Sequence, residues 1–290
     1  MPSRAGAVAE PVGVLGPSTL ALTSVVSMQA GQAVAKQFFD VAGPLGMVAL
    51  RFGFGAAVLL AVWRPRVVLH SDVLGLVLAV GTALAGTTTL IFLAAARIPL
   101  GIAVTLQFLG PLAVAIVGSQ RRLDLVWAAL AALGVILLVD RSAGPMLIEG
   151  VILALLSAAC WAAYIVGNAA LGARTGDARS GGSAFALSIA WAALLTVPAG
   201  VADAGPALVR LDVLAGGFLV AHLSTVVANT LELKALRRMP PRAFGVLMSL
   251  EPAVAALAGM AFLGEHLGPY QWLAVGCVVI ASTGAIRTHG

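Results

Sequence analysis

The sequence predicts an all-α polytopic membrane protein, ten transmembrane helices built as two inverted five-helix repeats. Three observations carry this reading: a shortage of charge, ten apolar stretches whose flanking basic residues alternate from side to side, and a gapless internal match between the halves. The chain has 290 residues, of which 60% are hydrophobic and only 10% charged, with a mean hydropathy of +1.03. A soluble domain carries roughly 25% charged residues. Twelve acidic residues cannot coat a globule of this size, so most of the outer surface must face lipid. The net charge of +5 would suggest nucleic acid in a soluble chain. Here the basic residues lie between apolar segments, so membrane topology explains them and no nucleic-acid partner is expected.

A membrane span needs about 20 apolar residues. The spans fall at 15–37, 44–63, 73–96, 99–118, 124–140, 146–169, 183–202, 211–233, 241–264 and 268–286. The polar connections include "RPRVVLH", "SQRRLD", "GARTGDARSGG" and "KALRRMPPR". With the N-terminus in the cytoplasm, that side holds Arg4, Arg64, Arg66, Arg121, Arg122, Arg174, Arg179, Lys234, Arg237, Arg238, Arg242 and Arg287. The other side holds Lys36, Arg97, Arg141 and Arg210, while Arg51 lies within a span. Twelve against four places both termini inside. Miscounting by one span would scramble the alternation. Residues 1–14 lack a basic region followed by a cleavage site, so they read as a short cytoplasmic tail. Cys160 and Cys277 fall inside spans and read as reduced packing residues; no metal-ligand spacing and no cofactor motif is present.

The internal match pairs "LIFLAAARIPLGIAVTLQFLGPLAVAIVG" (90–118) with "LELKALRRMPPRAFGVLMSLEPAVAALAG" (231–259). Arg97 with Arg238, Pro99 with Pro240, Pro111 with Pro252 and Gly118 with Gly259 fall in one register. The repeat unit is half the chain, 15–142 and 143–287. Five spans is odd, so the halves enter the membrane in opposite directions. Secondary transporters are built this way, with a site near the midplane where the halves meet. A duplication kept only for packing is the alternative.

Two five-helix halves, each with P-x-x-x-A-x-x-G in its fourth span (Pro111 to Gly118, Pro252 to Gly259), resemble the EamA-type branch of the drug/metabolite transporter superfamily. "FLGEHLGPYQWLAVGCVVIASTGA" looks like the closing motif of that branch. More narrowly, "SMQAGQAVAK", "VALRFGFGA", "PLGIAVTLQFLGPLAVAIVGSQRRLD" and "RAFGVLMSLEPAVAALAGMAFLGE" resemble the bacterial inner-membrane threonine/homoserine exporters. The resemblance covers nearly the whole chain. It implies export of small hydrophilic amino acids driven by the proton gradient. One position departs: where that family can carry Glu, this chain has Gln107, which calls a proton-carrying role there into question.

The residues that bear on transport are those awkward for lipid. Glu251 and Pro252 stand side by side within the ninth span. A charge at mid-membrane costs at least about 2.5–3.5 kcal/mol. Pro252 deprives the Met248 carbonyl of its helical partner, and Pro111 does the same to Gln107. Breaks at bilayer depth are tolerated where the freed groups line a cavity or are buried in protein. The expectation is a polar pocket around Glu251 and these carbonyls; a packing kink with a protonated Glu251 is the bland reading.

Polar stripes at helical spacing should face the same place. Gln29, Gln32 and Lys36 form one on the first span, Trp161, Tyr164 and Asn168 another on the sixth, and His222, Thr225, Asn229 and Glu232 a third on the eighth. The amides line the pocket or serve as interhelical glue. Trp161 and Tyr164 line it or pack. Thr87, Thr88 and Thr89 are expected to bond their own backbone. His222, a lone membrane histidine, is a weaker coupling candidate. Glu232 reads first as a surface charge beside Lys234. Arg51 pairs with a buried acid or with a substrate carboxylate, the structural pair being favoured. Glu265 caps or stabilises the turn after the ninth span.

An enzyme is poorly supported, since no nucleophile-base set or metal motif appears. A passive facilitator and a multidrug exporter are the rivals; aromatics at 6% weaken the latter slightly. The expected partners are an amino-acid substrate, protons and the lipid bilayer of the bacterial inner membrane, with the chain a monomer or homodimer.

Overall fold

A computed structural model describes residues 16–65, 71–117, 122–138, 144–175, 178–236, 238–239 and 241–288. The tail at 1–14 and most of the junction between the halves lie outside them. Among the described residues every regular element is helical. Helices fall on each of the ten apolar stretches: α1 (Pro17–Gln37), α2 (Phe39–Trp63), α3 (Ser71–Ala95), α4 (Leu100–Gln107), α5 (Leu109–Val117), α6 (Arg122–Leu138), α7 (Gly144–Thr175), α8 (Ala178–Ala204), α9 (Leu211–Ala221), α10 (Ala228–Leu236), α11 (Pro241–Met248), α12 (Glu251–Leu263) and α13 (Pro269–Thr288).

Six helical stretches are long and apolar enough to cross a membrane: 39–63, 73–95, 148–175, 181–209, 211–232 and 244–263. A shorter apolar helix runs from Leu100 to Val114. α6 is 17 residues long. α1 is long enough, but Gln29, Gln32, Lys36 and Gln37 dilute its apolar character.

Three of the expected spans are interrupted. The fourth breaks at Phe108 between α4 and α5, and the ninth at Ser249–Leu250 between α11 and α12. α4 ends at Gln107 and α11 at Met248, positions that the gapless internal match puts in register. Proline three or four residues on explains both breaks: its ring clashes with the carbonyl one turn back and it offers no N–H. The eighth stretch is interrupted differently, by a π-helical segment at His222–Val227 between α9 and α10. Wide turns of this kind often mark functional positions. The second span reaches further back than 44: α2 starts at Phe39 and passes through a non-helical Gly43 (φ 66°) before Pro44. A side chain at Gly43 would be strained by that φ and would meet Asp203.

The burial pattern is inverted relative to a soluble protein. Val26, Val62, Val166, Leu194, Phe218, Leu257 and Ile280 are exposed, whereas Ser24, Gln29, Arg51, Thr105, Gln107, Ser157, Ser188, Thr225 and Glu251 are buried. Lipid favours this arrangement, since a polar side chain loses less free energy facing other helices than facing hydrocarbon. The main core gathers Phe52, Phe92, Met47, Ile102 and Leu106 with many alanines from α1 to α4, α7, α8 and α12. Small residues let the helices approach. A Cβ on Gly101 would stand 2.6 Å from Ala256 Cα, so α4 and α12 cross backbone to backbone.

Candidate functional site

The polar stripe of α1 faces inward. Ser24 Oγ donates to the Ala228 carbonyl at 2.9 Å and Ser27 Oγ to the Leu223 carbonyl at 2.8 Å. These bonds clamp α1 to α10 and the π segment. They were not foreseen in the sequence, although two serines three apart on one face of α1 were the available signal. Gln29 is fully buried, and among the described residues neither its Nε2 nor its Oε1 has a hydrogen-bond partner. Gln32 Oε1 and Thr225 Oγ1 are likewise buried without partners among the described residues. Interhelical glue does not describe Gln29, because glue needs a partner.

Arg51 does not form the ion pair that was favoured for it. Its side chain is buried; among the described residues Nη2 meets Met28 Sδ at 3.7 Å, the guanidinium lies 5.8 Å from the centre of the Phe92 ring, and Nε has no partner. The physical reason is placement. Among the described residues the neighbouring helices present a thioether and an aromatic ring to it, not a carboxylate.

Lys36 instead sits at the end of α1 in an ion pair, its Nζ 2.6 Å from Glu265 Oε1, and also donates to the Ile98 carbonyl at 3.0 Å. Glu265 Oε2 accepts from the Leu100 N–H at 2.8 Å. Glu265 therefore caps the start of α4, a helix far away in sequence, where the positive end of the helix dipole suits a carboxylate. The turn that follows α12 is closed by backbone: Gly264 takes φ 65° and the Glu265 N–H bonds the Gly259 carbonyl at 3.2 Å. Gln37 Nε2 donates to the Phe262 carbonyl at 2.8 Å beside this pair. Arg97 pairs with Glu149 at 2.8 Å.

Gln107 is held in a closed network. Its Nε2 donates to Thr87 Oγ1 at 3.0 Å and Ser157 Oγ at 2.8 Å. Those hydroxyls in turn donate to each other's carbonyls, Thr87 to Ser157 at 3.1 Å and Ser157 to Thr87 at 2.8 Å. Thr87 thus bonds across to α7 and not to its own backbone, as had been expected. The donors of Gln107 are committed to holding α3, α4 and α7 together. Ser157 went unnoticed in the sequence, yet it lies one turn before Trp161 on the same stripe.

Trp161 is half-buried and meets Phe108 edge to face at 5.6 Å, beside the first break. Tyr164 packs against the cluster of Val77, Val80, Leu171 and Ala184. Asn168 is half-buried. Asn229 Nδ2 donates to the Thr225 carbonyl at 2.7 Å and so serves the π segment itself. His222 is exposed and stacked on Phe218 at 6.1 Å. The structure does not bring it among the buried polar groups. Met248 packs against the cluster of Leu20, Ala21, Ala235 and Phe244, next to the second break.

Glu251 begins α12 and is buried, with Pro252 beside it. Glu232 had been read first as a surface charge; it is half-buried on α10, which packs against α1 as α12 does. α1 packs against α10, α11 and α12, which places the Gln29 stripe and Glu251 on facing elements.

Comparison with known proteins places this arrangement. The EamA-like transporter family matches residues 148–287. The threonine/homoserine exporter RhtA of Escherichia coli (strain K12) is 41% identical over 275 residues, covering 94% of this chain and 92% of its own. The threonine/homoserine exporter RhtA of Salmonella typhimurium (strain LT2) is 40% identical over the same shares. A crystal structure aligns with 92% of this chain and 96% of its own at TM-score 0.59 and 20% identity, which shows a shared fold and nothing more. With buried polar helix faces, an apolar exterior and a 41% identity to these exporters over nearly its full length, the chain belongs to the EamA-like transporter family and is a multi-pass membrane protein.

Proposed function

We propose that the chain exports threonine, homoserine and similar small amino acids from the cytoplasm by proton antiport. The observation that carries this reading is the 41% identity, over nearly the full length of both chains, to threonine/homoserine exporters. The two halves, 15–142 and 143–287, form inverted five-helix repeats crossing the bacterial inner membrane ten times, with both termini cytoplasmic. The matching breaks at Gln107 and Met248 support this, since inverted-repeat transporters place discontinuous helices at the substrate site.

In this reading Glu251 is the coupling group. It is a buried acid at the start of a broken half-helix, and it exchanges its proton for the ammonium group of the arriving substrate. Gln29, Gln32 and Thr225 line the path. In this reading Lys36 and Glu265 hold the outer end by joining α1 to the α12–α13 turn and to the start of α4.

The test is uptake into inside-out proteoliposomes of labelled threonine, homoserine and a lipophilic cation, each with and without a proton gradient. Gradient-driven accumulation of the two amino acids is expected. Accumulation of the cation alone would make the protein a multidrug exporter. Amino-acid movement that never exceeds equilibration under a gradient would make it a passive facilitator.

A further inference from the structure

Arg51 is the least comfortable residue in the fold. A guanidinium has five N–H donors and stays charged under all ordinary conditions. Among the described residues this one meets a thioether and an aromatic face, but no carboxylate. A buried charge without a counter-charge is strongly destabilising. Such a residue persists in a membrane core where it faces an ion pathway or a ligand.

The surroundings have the same unfinished character. Met28, which touches Arg51, is followed by Gln29, both of whose amide atoms are orphaned. Gly55 lies one turn from Arg51 on α2 and abuts Thr225: a Cβ there would stand 3.2 Å from Thr225 Cγ2. Thr225 belongs to the π segment and its hydroxyl is orphaned too. Gln32, one turn beyond Met28, leaves its carbonyl oxygen free. Buried polar groups are paired in more than about 90% of cases. Unpartnered polar groups thus stand on α1, α2 and the π segment, three elements packed against one another, with the Arg51 cation among them. A ligand suited to this set is anionic, small and rich in acceptors.

We propose that Arg51, assisted by Gln29 and Thr225, binds the α-carboxylate of the exported amino acid. This deepens the export reading and rests on it for the identity of the substrate. Arginine suits the task because its planar fork meets both carboxylate oxygens at once. Gln29 supplies a further donor to the carboxylate and an acceptor for a substrate hydroxyl. The Thr225 hydroxyl does either. The Phe92 ring holds the guanidinium plane without neutralising it.

The experiment measures binding of L-threonine and of L-threoninol, in which the carboxylate is replaced by a hydroxymethyl group. It uses the full-length wild type, Arg51→Lys and Arg51→Met in detergent, with thermal unfolding of each ligand-free protein. Wild type should prefer threonine at least about tenfold, the effect of losing a charge-assisted pair. Arg51→Lys should weaken threonine binding, since an ammonium cannot reproduce the fork. Arg51→Met should bind the two ligands alike, while its ligand-free unfolding temperature stays level or rises because an uncompensated charge has gone. Equal binding of threonine and threoninol by wild type overturns the proposal. So does full retention of the preference in Arg51→Met, or a clearly lowered unfolding temperature of that variant, which would make Arg51 a structural cation. A wild type that binds threonine over threoninol, with the preference lost in Arg51→Met, yet transports neither threonine nor homoserine in proteoliposomes would overturn the export reading and leave the carboxylate site standing.

Discussion

Lys36 and Glu265 are 229 residues apart in the chain, yet Lys36 Nζ and Glu265 Oε1 lie 2.6 Å apart. The pair joins the end of α1 to the turn between α12 and α13. Through Ile98 and Leu100 it also engages the turn between α3 and α4. Three parts of the chain distant in sequence are thus tied at one end of the bundle by a few charge-assisted bonds. Loss of such a bond costs about 1.5–3 kcal/mol.

Lys36→Met and Glu265→Gln should therefore each shift the population toward an outward-open state by about tenfold. A cysteine at Ala103, buried one turn beyond Leu100, reports this when Cys160 and Cys277 are replaced. Its labelling by an impermeant maleimide added outside cells should rise in both variants, and the double variant should add little, as expected for a coupled pair. Unchanged labelling would show that the pair does not hold the outer end.

Glu251→Gln keeps shape and hydrogen bonding but cannot titrate. The variant should fold with unchanged thermal stability and lose gradient-driven accumulation by about tenfold or more. Exchange of labelled against unlabelled threonine should persist. The pH dependence of transport should flatten with it. If Glu251→Gln still drives uphill export, the coupling group is elsewhere, and Glu232→Gln becomes the next variant to measure.

Gly101→Leu should lower thermal stability, because its Cβ would meet Ala256 Cα at 2.6 Å and Ala256 Cβ at 2.7 Å. Overpacking of this kind costs about 1–3 kcal/mol. Ala256→Gly removes only the second contact, so partial rescue is expected in the double variant. A Gly101→Leu protein as stable as wild type would mean that α4 and α12 do not cross this closely.

Topology is checked by single cysteines at Arg64, Arg122 and Arg210 in a background without Cys160 and Cys277. Positions 64 and 122 should react with an impermeant maleimide only from the cytoplasmic side, and position 210 in intact cells. Reaction of position 64 or 122 in intact cells would invert or dismantle the assignment.

The sequence by itself determined the class, the helical stretches and the sites where helices break. Each depends on local chemistry. Apolar run length is set by bilayer thickness, basic residues mark the segment ends, and Pro111 and Pro252 cannot continue the helical hydrogen bonding on either side of them. The stripes were legible as inward faces for the same reason, since residues three and four apart share one side of a helix. Only the tertiary structure decided what each polar group meets. Gln107 finds Thr87 and Ser157 and becomes a tie between helices, while Gln29 on an equally polar stripe finds nothing. Lys36, on the polar stripe of the first span, is taken up by Glu265 at the bundle end, and Arg51, expected in a structural pair, meets no acid among the described residues. His222 shares a stripe with Thr225, but the π segment alters the angular offset along it, so the first is exposed against Phe218 and the second is buried. Helix faces are encoded by spacing within one segment. Partners are set by the rotation and crossing of segments far apart in the chain, which small residues such as Gly55 and Gly101 permit without naming the neighbour.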